Sequence, residues 1–522
     1  MRLFKLVFHI VAKLFAVSNA PKQVLLKNTI MEESNQSSTR VPTSSKPEGP
    51  TTESNVHRRT KEWTSQEAVV RKAKELIGYT MAQKYPELRS GNQSHKGRLG
   101  ELIEENHFGL KINNEARPDF ATLGVELKTS PIRENSKGEL VAKERISLGM
   151  IDYFQIIQER FHTSGFWKKS EHLLIIFYLH NSSKDFIDRE IQLADVWNFT
   201  QSDLIIIQQD WNFIRTKVEY GLAHELSEGD TMYLGAATKG VNKSSLREQP
   251  NGSIRAKSRA YSLKTTYVNR IIQQWLNPNM NDARLIPEKE IAELEEKGFD
   301  EMILDRFRPF YGWEIEDVAE ALDLFALNMS SKSMLATLSR AIMGVPGKSV
   351  IPEFEAAGIT MKTIRLKPNG TPQESMSFPA FKFKELAEEK WLDSPLYRLL
   401  DESRFLFVVF DRATRDPSAP LILKSAKFWT MPQNDIDQAR ESWMQTQKIV
   451  LDGNIVKSIG PTGIRKTNLP GSKFYPIIHV RPHATTVDDT YPLPVPDALT
   501  GSAHYTKQSF WLGDQYLKQI IS

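Results

Sequence analysis

Pro118-Asp119-Phe120-Ala121-Thr122-Leu123-Gly124-Val125-Glu126-Leu127-Lys128-Thr129 is the stretch on which the reading of this chain turns. Pro118-Asp119 reads as a turn with Asp119 at the start of one strand and Glu126 on the next. Glu126 and Lys128 are two apart, so on a strand they face the same side. An altered copy lies downstream: Pro352-Glu353-Phe354-Glu355-Ala356-Ala357-Gly358-Ile359-Thr360-Met361-Lys362-Thr363. There threonine replaces the second acid, while the lysine stays.

Collinearity makes the copy more than a coincidence. Asp119 matches Glu353 at an offset of 234, Ser147 matches Ser377 at 230, and Trp211 matches Trp443 at 232. The apolar run from Leu173 matches the one from Phe405, again at 232. Ala260-Tyr261-Ser262-Leu263 with Tyr267 matches Ser509-Phe510-Trp511-Leu512 with Tyr516 at 249, which needs one insertion. A repeat of this length is a duplicated domain, not a solenoid unit.

The rest of the chain fits two such domains. Its 522 residues suffice for two to four cores, and its composition is that of an ordinary water-soluble protein. Net charge is +4, so any nucleic-acid surface is local. The absence of cysteine removes disulfides, thiolate zinc and thiol nucleophiles, and is compatible with a reducing cytoplasm. Leu3 to Val17 is apolar but broken by Lys5, His9 and Lys13, too short and charged for a membrane span. Residues 1–59 are expected to be a disordered extension, with a signal peptide ending near Ala20 as the lesser alternative.

Thr64 and Glu67 predict a capping box opening a helix that stops at Gly78. Lys96 to Phe108 predicts another, stopped by Gly109. Strands are predicted at Val125–Leu127, Leu173–Tyr178 and Leu204–Ile207; the second lacks polar alternation and reads as central. Asn277-Pro278-Asn279 and the acidic stretch after it mark a connector. The expected layout is a catalytic domain over 60–276, a helical connector over 277–325 and a second domain over 326–522.

Asp119, Glu126 and the Leu127 carbonyl form an oxygen-rich site suited to Mg2+. The ion would polarise a scissile phosphate, and Lys128 would orient the attacking water and offset developing charge. Glu104 is a candidate third acid, because its helical phase sets it beside Leu99, Leu102 and Ile103, where a solvated glutamate is least expected. Glu105 points elsewhere and is the fallback. In the second copy Thr360 cannot serve as an anionic ligand, so that copy is expected not to cut.

Lys96-Gly97-x-x-Gly100-x-x-x-Glu104, Pro118-Asp119-Phe120 and Gly124-Val125-Glu126-Leu127-Lys128-Thr129 resemble the MutH superfamily. Residues 60–522 resemble its two-domain branch, the GATC-cutting type II restriction enzymes of the staphylococcal type. His224-Glu225-Leu226-Ser227-Glu228-Gly229, Thr238-Lys239-Gly240, Arg259-Ala260-Tyr261-Ser262-Leu263-Lys264 and His479-Val480-Arg481-Pro482-His483 extend the likeness.

The resemblance implies an α/β fold of two tandem restriction-endonuclease-like PD-(D/E)xK domains, each a mixed sheet flanked by helices. It gives catalytic positions to Glu104, Asp119, Glu126 and Lys128, and implies Mg2+ as cofactor. It makes the loop from Ala237 to Asn242 the element that reads DNA, with Lys239 as the reading lysine, Asn242 beside it, and alanine at 237 where MutH has arginine. The second copy keeps an arginine, Arg481, with His483. Arg145, Lys243, Arg247, Lys257, Arg259 and Lys264 are candidate phosphate contacts. Implied partners are double-stranded DNA carrying GATC, a dimer or DNA-looped assembly and a cognate DNA methyltransferase as genetic partner, with no membrane. A MutH-like nicking repair endonuclease is the second reading, opposed by the duplication. A non-catalytic DNA-binding regulator is the third, opposed by the intact Asp119, Glu126 and Lys128.

Overall fold

The computed structural model describes residues 63–522 apart from 91–96, 112–116, 240–244, 279–283, 346, 348–349, 374, 415, 417–418 and 462. The N-terminal extension, Asn242 and Lys243 therefore lie outside the described residues.

Each copy is built from two sheets in the same order. The first copy has a mixed sheet with strand order β2-β1-β4-β5, from β1 (Val125–Glu134), β2 (Leu140–Ala142), β4 (His172–Leu179) and β5 (Ile191–Asn198). Beside it lies an antiparallel sheet, β3-β9-β6, from β3 (Ile146–Met150), β6 (Leu234–Thr238) and β9 (Arg259–Leu263). The hairpin β7 (Leu246–Gln249) and β8 (Gly252–Lys257) stands between β6 and β9. The second copy repeats this with β10 (Ile359–Arg365), β12 (Arg404–Arg412) and β13 (Leu421–Trp429), then β11 (Met376–Phe381), β19 (Gln508–Leu512) and β16 (Ile478–Pro482). The hairpin β17 (Thr490–Pro492) with β18 (His504–Thr506) stands between β16 and β19 as β7–β8 does between β6 and β9, and one hairpin is added, β14 (Val456–Ile459) with β15 (Arg465–Thr467).

Strand register shows the duplication residue by residue. Glu126 lies opposite Leu173 in a parallel pair, and Thr360 lies opposite Phe405 in the corresponding pair. Gly235 faces Ser262 as His479 faces Trp511, and Ala237 faces Ala260 as Arg481 faces Ser509. Even a polar contact recurs: the Tyr267 hydroxyl donates to Asp203 at 3.0 Å and the Tyr516 hydroxyl donates to Asp435 at 2.5 Å.

The principal helices are α1 (Gln66–Lys74), α2 (Arg98–Leu102), α3 (Gly165–Ser170), α4 (Gln201–Glu219), α5 (Thr265–Leu276), α6 (Phe299–Phe307), α7 (Met334–Ile342), α8 (Pro352–Ala357), α9 (Pro395–Glu402), α10 (Gln433–Leu451) and α11 (Asp514–Ile521). Two expectations change. The α1 cap is Ser65, whose hydroxyl accepts from the Ala68 N–H at 3.2 Å, rather than Thr64. Leu204–Ile207 is helix, not strand. The Thr200 hydroxyl caps α4, and Ile207, Trp211, Ile214 and Val218 recur at helical spacing against the core. Between the connector and β10 the chain forms α7 and α8.

Side-chain alternation along the central strands divides the interior. Leu173, Ile175 and Phe177 pack with Trp211, whereas Leu174 and Ile176 pack beneath α1 and α2 with Val69, Leu99 and Ile103. In the second copy Phe405, Phe407 and Val409 pack with Trp443. Leu406, Val408 and Phe410 face the connector instead, joining Phe299, Met302, Ile303, Leu338 and Phe354 in the core that also holds Trp211. The connector thus covers, in the second copy, the face that α1 and α2 cover in the first.

Candidate active site

The acids are positioned by backbone geometry. Strand β2 pairs with β1 only at Ile132–Glu134, which leaves the N–H groups of the first half of β1 on an open edge. Asp119 closes that edge: its Oδ2 accepts from the Leu127 N–H at 2.9 Å. Asp119 itself sits in a turn rather than on a strand, and Phe120 makes a single bridge to Val125 before β1 begins. Gly124 enters β1 at φ +67, a conformation glycine adopts without strain, and Gly358 repeats it before β10 at φ +69.

Glu104 lies in a π-helical turn, Ile103–Phe108, that continues α2 and ends at Gly109. Burial, and then the charge of Asp119, push its carboxyl up to about 7. Burial raises Asp119 as well, and the neighbouring Glu126 adds to the effect. Glu126 is 4% exposed. Its Oε1 accepts from the Lys128 ammonium at 2.6 Å and lies 3.5 Å from the Lys169 ammonium. Its Oε2 is buried without a hydrogen-bond partner.

The structure therefore brings Glu104, Asp119, Glu126 and Lys128 together. It adds Lys169, on α3, which sequence reasoning missed. A signal existed: at the offset of 230 shared by the α3 and α9 caps Ser164 and Ser394, Lys169 corresponds to Leu399, so the lysine is present only where the acids are intact. No group of three or more histidine, aspartate or glutamate side chains among the described residues forms a ready metal cage. Two carboxylates with an unsatisfied buried oxygen nonetheless fit a hard divalent ion, which completes its sphere with water and substrate phosphate.

The basic residues divide. Lys239 follows β6, is half-buried, and its N–H donates to the Ser258 carbonyl at 2.7 Å. Lys264 is corrected: it is 3% exposed, its ammonium donates to the Thr231 carbonyl, and burial lowers it to about 8, so it does not face a phosphate. Arg259 is buried, donating to the carbonyls of Ala236 and Leu226. Lys257 is half-buried. Arg145 is corrected too, being held between the copies by Glu228 and, at 3.1 Å, by Glu402.

In the second copy Arg481 donates to the Ser375 hydroxyl at 3.0 Å with its guanidinium 5.8 Å from the Trp511 ring centre. His483 Nδ1 meets the Ser509 hydroxyl at 3.2 Å. The positions that match the first copy's acids and lysine are placed differently here. Thr360 and Lys362 are exposed, and Glu353 sits in α8, where its carboxylate accepts from the N–H groups of Leu285 at 3.0 Å and Ile286 at 3.3 Å.

Comparison with known proteins identifies the family. The family described as "DNA mismatch repair enzyme MutH" matches residues 108–210 and again 345–442. The type II restriction enzyme Sau3AI of Staphylococcus aureus is 33% identical over 496 residues, 88% of this chain and 99% of that protein. The DNA mismatch repair protein MutH of Shewanella woodyi is 27% identical over 182 residues, 34% of this chain and 77% of that protein. MutH of Shewanella amazonensis is 26% identical over 217 residues, 40% of this chain and 95% of that protein. The chain belongs to the MutH superfamily, in its two-domain branch of site-specific endonucleases that includes Sau3AI.

Proposed function

We propose that this endonuclease hydrolyses double-stranded DNA at GATC in a Mg2+-dependent reaction in its first copy, and that its second copy binds another GATC duplex and stimulates cutting. The observation that carries the catalytic part is Glu126 Oε2, buried and unpartnered beside Asp119, with two lysines on the other oxygen.

Asp119 and Glu126 would hold the ion, which when bound supplies polarisation of the scissile phosphate and a more acidic water. Lys128 holds Glu126 in place, and its ammonium orients the attacking water and offsets negative charge building on the phosphate. Lys169 adds positive charge from α3. Glu104, with its carboxyl at about 7, exchanges a proton close to neutral pH, the range in which a general base works best. Lys239, and the loop it begins, would read bases by donating to guanine O6 and N7.

Support for the effector role is the contrast within the second copy: metal positions dismantled, Arg481 retained at the register position of Ala237. The test compares plasmids carrying one and two GATC sites. Faster cutting of the two-site plasmid, lost in Arg481→Ala, is expected. Equal rates on both, unaffected by the substitution, would sink the effector role; equal inactivity of wild type and Lys128→Ala with Mg2+ would sink the nuclease.

A further inference from the structure

The second copy carries an element the first lacks. The connection from α4 to β6 covers 220–233, whereas its counterpart from α10 to β16 covers 452–477, twelve residues longer. The added length folds into the β14–β15 hairpin, with Ser458 opposite Lys466 and Ile459 opposite Arg465. Its base is fixed. Ile455, Val456 and Leu469 are buried in the second core, the Asp497 carboxylate accepts from the Val456 N–H at 2.8 Å, and the Thr467 hydroxyl donates to the Ile455 carbonyl at 3.0 Å.

Beyond that base both faces of the ribbon stand in solvent. Lys457, Ser458 and Ile459, then Ile464, Arg465, Lys466 and Thr467, are all exposed, Ile464 at 69%. A lone two-stranded ribbon has little stability of its own, so keeping one with no covered face needs a reason. Its charge supplies one. From Gly453 to Val487 the sequence has no aspartate or glutamate, yet carries Lys457, Arg465, Lys466, Lys473 and Arg481. The whole chain nearly balances, with 68 basic and 64 acidic residues, so this one-sign stretch is local. Among the described residues Lys457, Arg465 and Lys466 form no ion pair. The same stretch runs directly into β16 and Arg481.

We infer that the hairpin 456–467 is a DNA-binding ribbon. It enters a groove of the duplex held by the second copy, with Lys457, Arg465 and Lys466 on phosphates and Ile464 at the tip against the groove wall. A two-stranded ribbon matches the width of the major groove, and the three cations gain free energy by releasing condensed counterions. This rests on the reading of the second copy as a DNA-binding effector.

The test uses the full-length protein, a one-site plasmid as substrate and a short GATC duplex added as effector. The triple variant K457A/R465A/K466A is expected to need about 10- to 100-fold more effector duplex for half-maximal stimulation, with a salt slope shallower by about 2 to 3, close to one per lost phosphate contact. Its unstimulated rate and unfolding midpoint stay at wild-type values, and K457R/K466R keeps the wild-type effector requirement. If Arg481→Ala weakens stimulation while the triple variant leaves effector concentration and salt slope unchanged, the ribbon inference is overturned and the effector reading stands. If neither substitution has an effect, both fail. A triple variant that changes only sedimentation, with an unaltered effector requirement, would make the hairpin a contact between copies of this chain and also overturn the inference.

Discussion

Asp119 and Glu353 align in sequence, and both spend their carboxylates on backbone N–H groups, yet they do opposite work. Asp119 accepts from Leu127, on the strand that carries Glu126, and its burial beside another acid disfavours the ionised form. Glu353 accepts from the N–H groups of Leu285 and Ile286 in the connector. One acid is held in a costly place that suits a cation; the other has become a capping group for a neighbouring segment. The second copy thus differs by a reassignment of the Glu353 carboxylate as well as by Thr360 at the position of Glu126.

That contrast can be broken in order of expected effect. Glu126→Gln should lower DNA cleavage by about 10³-fold or more, since a neutral amide is a poor ligand for a hard cation. The reverse change, Thr360→Glu placed in a Lys128→Ala background, should restore no cleavage, because the Glu353 carboxylate stays with Leu285 and Ile286; gel assays of supercoiled DNA check both. Appearance of cutting would mean that the second site is intact apart from one residue.

Glu353→Ala should cost about 1–3 kcal/mol in urea unfolding by leaving two buried N–H groups unsatisfied, whereas Asp119→Asn should cost little or stabilise the metal-free protein. Equal losses would erase the distinction between the two acids. The smallest effect is a pH effect. Glu104 has a folded value of about 7 against 4.5 for an unperturbed glutamate, so folding favours its protonated form. The associated stability is fully present below about pH 4.5 and is lost as pH rises through about 7. Glu104→Gln should therefore raise the melting midpoint of metal-free protein at pH 8 and leave it nearly unchanged at pH 4, while lowering cleavage at pH 8 when Mg2+ is supplied.

The acids were legible because their chemistry is local: Asp119, Glu126 and Lys128 lie within ten residues, and strand alternation alone puts two of them on one side. Leu173–Tyr178 was legible because a central strand has no polar side to show. Leu204–Ile207 was misread because four consecutive apolar residues have no period of their own; only Trp211, Ile214 and Val218 further on reveal the helix. Lys264, Arg259 and Arg145 were misjudged for another reason. Whether a basic side chain meets a phosphate or a carbonyl depends on residues such as Thr231, Leu226 and Glu228, brought near only by folding. The new employment of Glu353 was equally hidden, its partners lying in a segment with no distinctive pattern.

The packed connector has a consequence for how the protein would meet a genome. Because Leu406, Val408 and Phe410 share a core with the connector and the first copy, the two halves are not strung on a tether. On the proposed reading, two sites on one molecule must then be delivered by the DNA's own elasticity. Below its persistence length of about 150 base pairs the duplex resists bending, and its helical phase turns a site toward or away from its partner. Stimulation on closely spaced sites should oscillate with the DNA helical repeat of about 10.5 base pairs, making the enzyme a ruler of site spacing as well as a reader of sequence.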